Sequence, residues 1–412
     1  PAQRTNTWIL DEWYDQAVAG TQGEYVGAKE LWSFGGNNEG AGGWNSQVRY
    51  SSPVQIPAGS GKAWKSLVYG YTTGPGHNVN NTNGNQTMFA IKTDGTLWGW
   101  GRNESGEIPV NTSDSYSSPR QIPGTTWSKA YSARTGGAAF KTDGTLWTWG
   151  SGYAGMMGQN ETTARSSPIQ LPGTWSSFAT AGDSSVLAFK TDGSLWAWGE
   201  GGYGSLAQNN KTDYSSPTQI TGTDWSHFSP GSGAFGAARH VFKTDGTLWG
   251  WGSTSYGQLG QNTSPSGGTE RFSSPVQIPS GSGKTWTTVA GGDAFIGRKN
   301  DGTIWGMGRN SYGQLGQNSR TLYSSPVQIG SETTWSENIF SNDVYCGGVK
   351  TDGSLWLWGF GDNGQFGMNY RETAGPGIDS LSSPTQLPGT WTGVVGASVA
   401  QGYRNTYFMK EF

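Results

Sequence analysis

One cysteine, Cys346, stands in 412 residues, so no disulfide can form within the chain and the fold does not depend on an oxidising compartment. Charge is scarce too. Charged residues make up 13% of the chain and the formal net charge is −3, so no basic field recruits nucleic acid or an anionic membrane surface. No apolar run reaches the roughly 18 residues of a membrane-spanning helix, so membrane insertion is not expected. The first residues, "PAQRTNTWIL", lack the basic segment and apolar stretch of a signal peptide, and none is expected. Histidine is confined to His77, His227 and His240. With no second cysteine a metal site would need all three to converge, and the order of repeats along the chain separates His77 from the others.

Apolar residues reach only 33%, yet there are 22 Trp, 17 Tyr and 15 Phe. A buried aromatic side chain removes roughly 150–250 Å² from water, about 4–6 kcal/mol gross at ~25 cal/mol per Å². A core can therefore be built from few but large side chains. The 68 glycines recur periodically, which points to turns rather than disorder.

The decapeptide "KTDGTLWGWG" occurs twice, Lys92 to Gly101 and Lys243 to Gly252, with close copies elsewhere. Three landmarks repeat in fixed order. A Trp opens each unit: Trp64, Trp127, Trp175, Trp225, Trp286, Trp335 and Trp391. An Asp-Gly pair followed by apolar-Trp-x-Trp/Met-Gly begins at Asp94, Asp143, Asp192, Asp245, Asp301 and Asp352. Ser-Ser-Pro-x-Gln closes each unit, with prolines at Pro53, Pro119, Pro168, Pro217, Pro275, Pro326 and Pro384. In the fourth unit the pattern predicts strand a at Trp175 to Thr180, b at Val186 to Lys190, c at Ser194 to Gly199 and d at Pro217 to Ile220, with Asp192-Gly193 as the b–c hairpin turn. Alternation puts Trp196 and Trp198 on one face of strand c and Leu195 on the other. Both faces are apolar, so each sheet is covered on both sides, as in a propeller blade. The first unit has only strands c and d, "LWSFGGNN" and the segment at Pro53, and the missing pair is expected from Trp391 and from Tyr407 to Lys410. The expectation is an all-β, seven-bladed β-propeller over residues 29–412, its last blade closed by N- and C-terminal segments, with a separate arm at 1–28.

The order Asp-Gly, apolar-Trp-x-Trp-Gly, then "SYGQLGQN" (Ser255 to Asn262 and Ser311 to Asn318) resembles the regulator of chromosome condensation repeat family. The "SSPVQIP" ending is similar to bacterial and phage versions. The resemblance implies a propeller working through one of its faces, as in family members that act as a nucleotide exchange factor for a small GTPase or as a β-lactamase inhibitor. The His that family members often carry in strand b is missing from "GDSSVLAF" and "GDAFIGRK", so its role is not carried over.

No catalytic, cofactor-binding or metal-binding residues emerge. The Trp pairs and strand-opening Trp residues read as blade core. "GSGKT" (Gly281 to Thr285) lacks the upstream Gly of a phosphate-binding loop, Ile278 standing there, and reads as an inter-blade turn. "GSGAFG" (Gly231 to Gly236) has no helix after it. The repeated aspartates read as turn residues rather than calcium ligands.

Individuality lies where a unit departs from the repeat. "GYTTGPGHNVNNTNGN" (Gly70 to Asn85) enlarges an a–b turn, while "TSPSGGTERF" (Thr263 to Phe272) and "NYRETAGPGIDSL" (Asn369 to Leu381) enlarge c–d loops. These connections belong on one face, which gives a candidate binding face of Tyr71, His77, Asn81, Glu270, Arg271, Tyr370 and Arg371. Trp44, Tyr71 and Tyr370 are the aromatics that could stack on a sugar. In the arm, Trp8, Leu10, Trp13 and Tyr14 form a short amphipathic anchor. The expected function is a non-enzymatic bacteriophage virion component (capsid decoration, tail or host-contact module) located in the virion. It would be held to other virion proteins by the arm and could face a host receptor or glycan. The alternatives are a soluble protein-binding propeller, exchange-factor-like or inhibitor-like, or a sugar-binding module, in the cytoplasm or released outside the cell.

Overall fold

A computed structural model describes residues 31–35, 40, 43–47, 50–56, 64–68, 87–133, 135–181, 184–228, 238–263, 271–281, 283–341, 345–360 and 380–387. Within them the chain forms six four-stranded antiparallel sheets and one two-stranded sheet. Each four-stranded sheet is a simple meander in chain order, and each opens on a Trp that the repeat marks. Blade 4 is representative, with strand a at Trp175–Ala181, b at Ser185–Lys190, c at Leu195–Gly199 and d at Tyr214–Gln219. Strand d starts three residues earlier than the sequence suggests. A bulge between Ala197 and Gly199 carries the pairing on to Tyr214, which lies opposite Gly199. The two-stranded sheet pairs Leu31–Gly35 with Tyr50–Ile56, the expected strands c and d of the first unit. Trp391, Tyr407 to Lys410 and the arm at 1–28 lie outside the described residues.

Among the described residues, blades 2 to 6 pack both faces against their neighbours. On one side of blade 4, Leu187, Phe189, Leu195, Ala197 and Ile220 meet Trp225, Val241 and Trp251 of blade 5. On the other, Trp175, Phe178, Val186 and Trp198 meet Ala138, Phe140, Leu146 and Leu171 of blade 3. A smooth aliphatic face thus receives a tryptophan face at each such junction. Strands a of neighbouring blades meet one another, which places them toward the axis and strands d at the rim.

The seams also carry directed bonds. In blades 3, 4, 5 and 7 the second Trp of the pair reaches into the preceding blade's c–d loop: Trp149 Nε1 donates to the Glu107 carbonyl at 2.8 Å, Trp198 to Met156 at 2.9 Å, Trp251 to Ser205 at 2.9 Å and Trp358 to Gln314 at 2.8 Å. Farther out, six asparagines in the left-handed region, Asn45, Asn111, Asn160, Asn209, Asn262 and Asn318, have φ between 52° and 62°. Asn tolerates that conformation better than other side chains. Each donates its backbone N–H, at 2.6–2.9 Å, to a serine carbonyl in the next blade's Ser-Ser-Pro segment. The recurrent "QN" and "SSP" are therefore two halves of one inter-blade latch.

Candidate functional site

The meander topology puts the b–c turns on one face of the disc and the a–b turns and c–d loops on the other. On the b–c face the decapeptide builds the same station six times. In blade 4, Trp196 Nε1 donates to Ser194 Oγ at 2.7 Å, and Ser194 Oγ and its backbone N–H donate to Asp192 Oδ1 at 2.6 and 2.9 Å. The Lys190 ammonium lies 3.6 Å from the Trp196 ring centroid and 5.2 Å from that of Trp175. Across the six blades the corresponding lysines sit 3.4–4.4 Å from the first Trp of the pair. Side-chain and backbone hydrogen bonds from Thr145, Ser194, Thr247 and Ser354 hold the carboxyls of Asp143, Asp192, Asp245 and Asp352 below the usual carboxylate range. In blade 6, burial pushes Asp301 up, but the Lys284 ammonium at 2.6 Å and Thr303 pull it further down. Burial, with Lys284 nearby, lowers Lys299 to about 8. These stations are internally satisfied and serve the blades. Lys284 also shows what "GSGKT" does: it bridges strand d of blade 5 to strand a of blade 6 and holds Asp301.

The c–d loop face differs from blade to blade. Tyr203, Tyr256 and Tyr312 occupy one position on consecutive blades, immediately before a loop glycine, and Tyr153 stands one residue earlier in blade 3. Tyr153 and Tyr203 are 61% and 39% exposed, the exposed large apolar side chains among the described residues. Arg271, at the start of strand d in blade 5, lies over the Tyr203 ring at 4.4 Å and donates from Nη1 to the Gly202 carbonyl at 2.7 Å. The Arg309 guanidinium is 5.5 Å from the Tyr256 ring and 6.0 Å from Tyr312, and Tyr312 meets Phe360 of blade 7 at 4.8 Å. Every one of these contacts except Arg309–Tyr312 crosses a blade seam. The result is an arc over blades 4 to 7 made of two groups, Tyr203 with Arg271 and Tyr256 with Arg309, Tyr312 and Phe360.

Buried amides set the arc in place. Gln258 Oε1 accepts from the Tyr256 N–H at 3.0 Å, and Gln314 Oε1 from the Tyr312 N–H at 2.8 Å. Gln258 Nε2 also donates to Asp293 Oδ1 at 3.2 Å, and the Asp293 carbonyl accepts from the Arg309 N–H at 2.7 Å. Burial pushes the Asp293 carboxyl up to about 6, against the pull of Arg309. Blade 2 has Glu107 at the Gln position; burial raises its carboxyl, and Oε2 accepts from the Ser105 N–H at 2.7 Å. Deeper still, strand b of blade 5 breaks the apolar pattern with Arg239 and His240. Arg239 Nη2 donates to Ser185 Oγ of blade 4 at 2.5 Å, and complete burial lowers His240 to about 4, so its imidazole is neutral.

Of the expected binding-face residues, Arg271 is placed, and it belongs to this arc. Tyr71, His77, Asn81, Glu270, Tyr370 and Arg371 lie outside the described residues, as do Trp8, Leu10, Trp13 and Tyr14 of the arm and the "GSGAFG" segment. Trp44 is half-buried. Among the described residues, no group of three His, Cys, Asp or Glu side chains is arranged to hold a metal ion. Sequence reading passed over Tyr203, Tyr256, Tyr312, Arg309 and Phe360, although "SYGQLGQN" carries two of them.

These features define a repeat β-propeller whose blades are fastened by tryptophans and asparagines. The chain carries regulator of chromosome condensation (RCC1) repeats, matched at residues 192–233, 245–296 and 301–348, and its fold is that of an RCC1-like propeller. Over 125 residues it is 30% identical to the human E3 ubiquitin-protein ligase HERC2, covering 30% of this chain and 2% of that protein. Over 141 residues it is 30% identical to the RCC2 homolog of Danio rerio, covering 34% and 27%. The chain thus spans about a quarter or less of these relatives. Prp20p from Saccharomyces cerevisiae superposes with a TM-score of 0.64 at 16% identity over 89% of this chain and 87% of that one. Human WBSCR16 superposes at 0.63 and 17% identity over 88% and 96%.

Proposed function

We propose that the chain is a non-enzymatic protein-binding propeller that engages its partner through the c–d loop face. The observation that supports this is the Tyr–Arg–Phe arc over blades 4 to 7. Tyrosine and arginine are among the side chains most enriched where binding energy concentrates in protein interfaces, and here they cluster on one face, partly exposed. The yeast neighbours are consistent with this use of the architecture: Prp20p has binding properties to Gsp1p and histones, and yeast RCC1 (Prp20) is bound by Kap60. The relatives named are eukaryotic cellular proteins, and the expected virion role finds no support among them. The soluble protein-binding alternative is the reading they favour.

The test is in-cell cross-linking followed by mass spectrometry, comparing wild type with a Tyr203→Ala/Tyr256→Ala/Tyr312→Ala variant. A second variant, Asp143→Asn/Asp192→Asn/Asp245→Asn, changes the opposite face. Partners lost from the first and retained by the second are the expected result. Loss from the second alone would move the site to the b–c face and overturn the proposal.

A further inference from the structure

We infer that the arc receives an acidic polypeptide segment, an inference that rests on the docking role proposed above. Charge is distributed unevenly over the c–d loops. In blades 2 to 4 the described loop residues mix signs, and the guanidinium groups are already engaged: Arg102 pairs with Glu104, and Arg165 binds Glu161 at 2.6 Å. The described c–d residues of blades 5 and 6, 253–263, 271 and 309–322, include Arg271, Arg309 and Arg320 and contain no Asp or Glu. None of these three arginines makes an ion pair among the described residues. Asp293, which feels the Arg309 charge, is buried beneath the surface and held by Gln258, and on blade 4 Glu200 and Asp213 stand beside Gly201 and Gly202, where Arg271 binds.

The geometry of the guanidinium groups narrows the chemistry. Arg271 and Arg309 lie against tyrosine rings, so part of each is desolvated by an aromatic surface. A stacked guanidinium is weakly hydrated and still offers N–H edges in a fork that fits a carboxylate with two parallel bonds. The rings beside it add contact area for apolar side chains spaced between the carboxylates. A basic segment would meet like charge, and an uncharged one would leave the guanidinium groups to water. The complementary occupant is a stretch of Asp and Glu interrupted by aromatic or aliphatic residues.

The experiment uses the purified full chain and fluorescence anisotropy with three short labelled probes. One is a peptide alternating Glu and Asp with two Phe, one is its Gln/Asn counterpart, and one is single-stranded DNA of similar length. The acidic peptide should bind, and tighter at low salt than at physiological salt. Arg271→Gln and Arg309→Gln should each weaken it about 3- to 10-fold, and the pair together by more, while Arg165→Gln on blade 3 should leave it unchanged. Urea unfolding of each variant confirms that the fold is retained. Equal binding of both peptides, lost in the triple Tyr→Ala variant, would preserve the docking role and overturn the acidic segment. Preference for DNA, or an acidic peptide indifferent to both arginines, would also overturn it. No peptide binding with wild-type partner cross-links intact would reject the acidic segment alone; loss of both would reject the two proposals together.

Discussion

Two glycines with the same backbone conformation separate the cost of a turn from the cost of a seam. Gly193 closes the b–c turn of blade 4 with φ +82°, and a Cβ there meets nothing within 4 Å. Gly155 sits in the c–d loop of blade 3 with φ +75°, where a Cβ would lie 2.3 Å from Ser215 Cα and 2.5 Å from Ser215 Cβ in blade 4. Alanine at either position incurs the left-handed penalty of about 1–2 kcal/mol, partly offset by a stiffer unfolded chain. Only at position 155 must a neighbouring backbone move, and Ser215 belongs to a strand fixed by its own pairing. Relieving the overlap displaces the loop from the next blade and lengthens two bonds, Asn160 N–H to the Ser215 carbonyl at 2.7 Å and Ser216 Oγ to Asn160 Oδ1 at 3.1 Å. Overpacking of about 1–3 kcal/mol and roughly 1 kcal/mol per lost bond then add to the turn penalty. Gly155→Ala should therefore destabilise by about 3–6 kcal/mol and Gly193→Ala by about 1–2 kcal/mol. Equilibrium urea unfolding followed by tryptophan fluorescence measures both. A difference under about 1 kcal/mol would show that the seam yields without loss, and the inter-blade latch would lose its energetic meaning.

Trp198→Phe keeps most of the ring but strands the buried Met156 carbonyl, and should cost about 1–3 kcal/mol in the same assay. Lys190→Met keeps the aliphatic stem and removes the ammonium from between Trp175 and Trp196; a loss of about 1 kcal/mol is expected, with no change in partner cross-links. Stability should also depend on pH through Asp293. Its folded value, about 6, lies above the unfolded one, so the folded state holds the extra proton between about pH 4 and 6 and stability falls as pH rises through that window. Asp293→Asn should flatten this limb in pH-dependent urea titrations. The depressed carboxyls of Asp143, Asp192, Asp245 and Asp352 act in the opposite sense, their contribution being lost as pH falls below about 4.

The strands were legible because Asp-Gly turns and period-two alternation are local signals, read correctly in blade 4 to within a residue for strands a, b and c. Strand d escaped because a bulge is invisible to periodicity: Tyr214 enters the sheet only through the register shift opposite Gly199. The Trp residues read as core, and their rings are indeed packed there, but their N–H bonds cross to other blades at separations of 42 to 46 residues that no local pattern reveals. Lys190 and its equivalents were hidden in plain view. The decapeptide explains itself as a turn and strand, so its first residue asked for no further reason until two indole rings were seen around it. Arg271 was reached through an insertion, whereas Arg309 and Phe360 follow the strand-c glycine, a position held in other blades by Arg102, Ser151, Glu200 and Ser253, which have no chemistry in common.

That contrast separates scaffold from site on each face of the disc. On the b–c face the same lysine, aspartate and tryptophan recur six times, and each ammonium is held between rings of its own blade, so identical units leave little charge for an outside ligand. On the c–d face the residue that follows the strand-c glycine changes from blade to blade, and where it becomes Arg309 and Phe360 it meets tyrosines of neighbouring blades. A repeat must conserve what every junction needs, such as the tryptophan donor, the left-handed asparagine and the crowded glycine. Residues that vary at one aligned position while still touching across a seam are not required by closure of the blades. Their joint placement on blades 4 to 7 is what sets the proposed recognition surface apart from the blades that carry it.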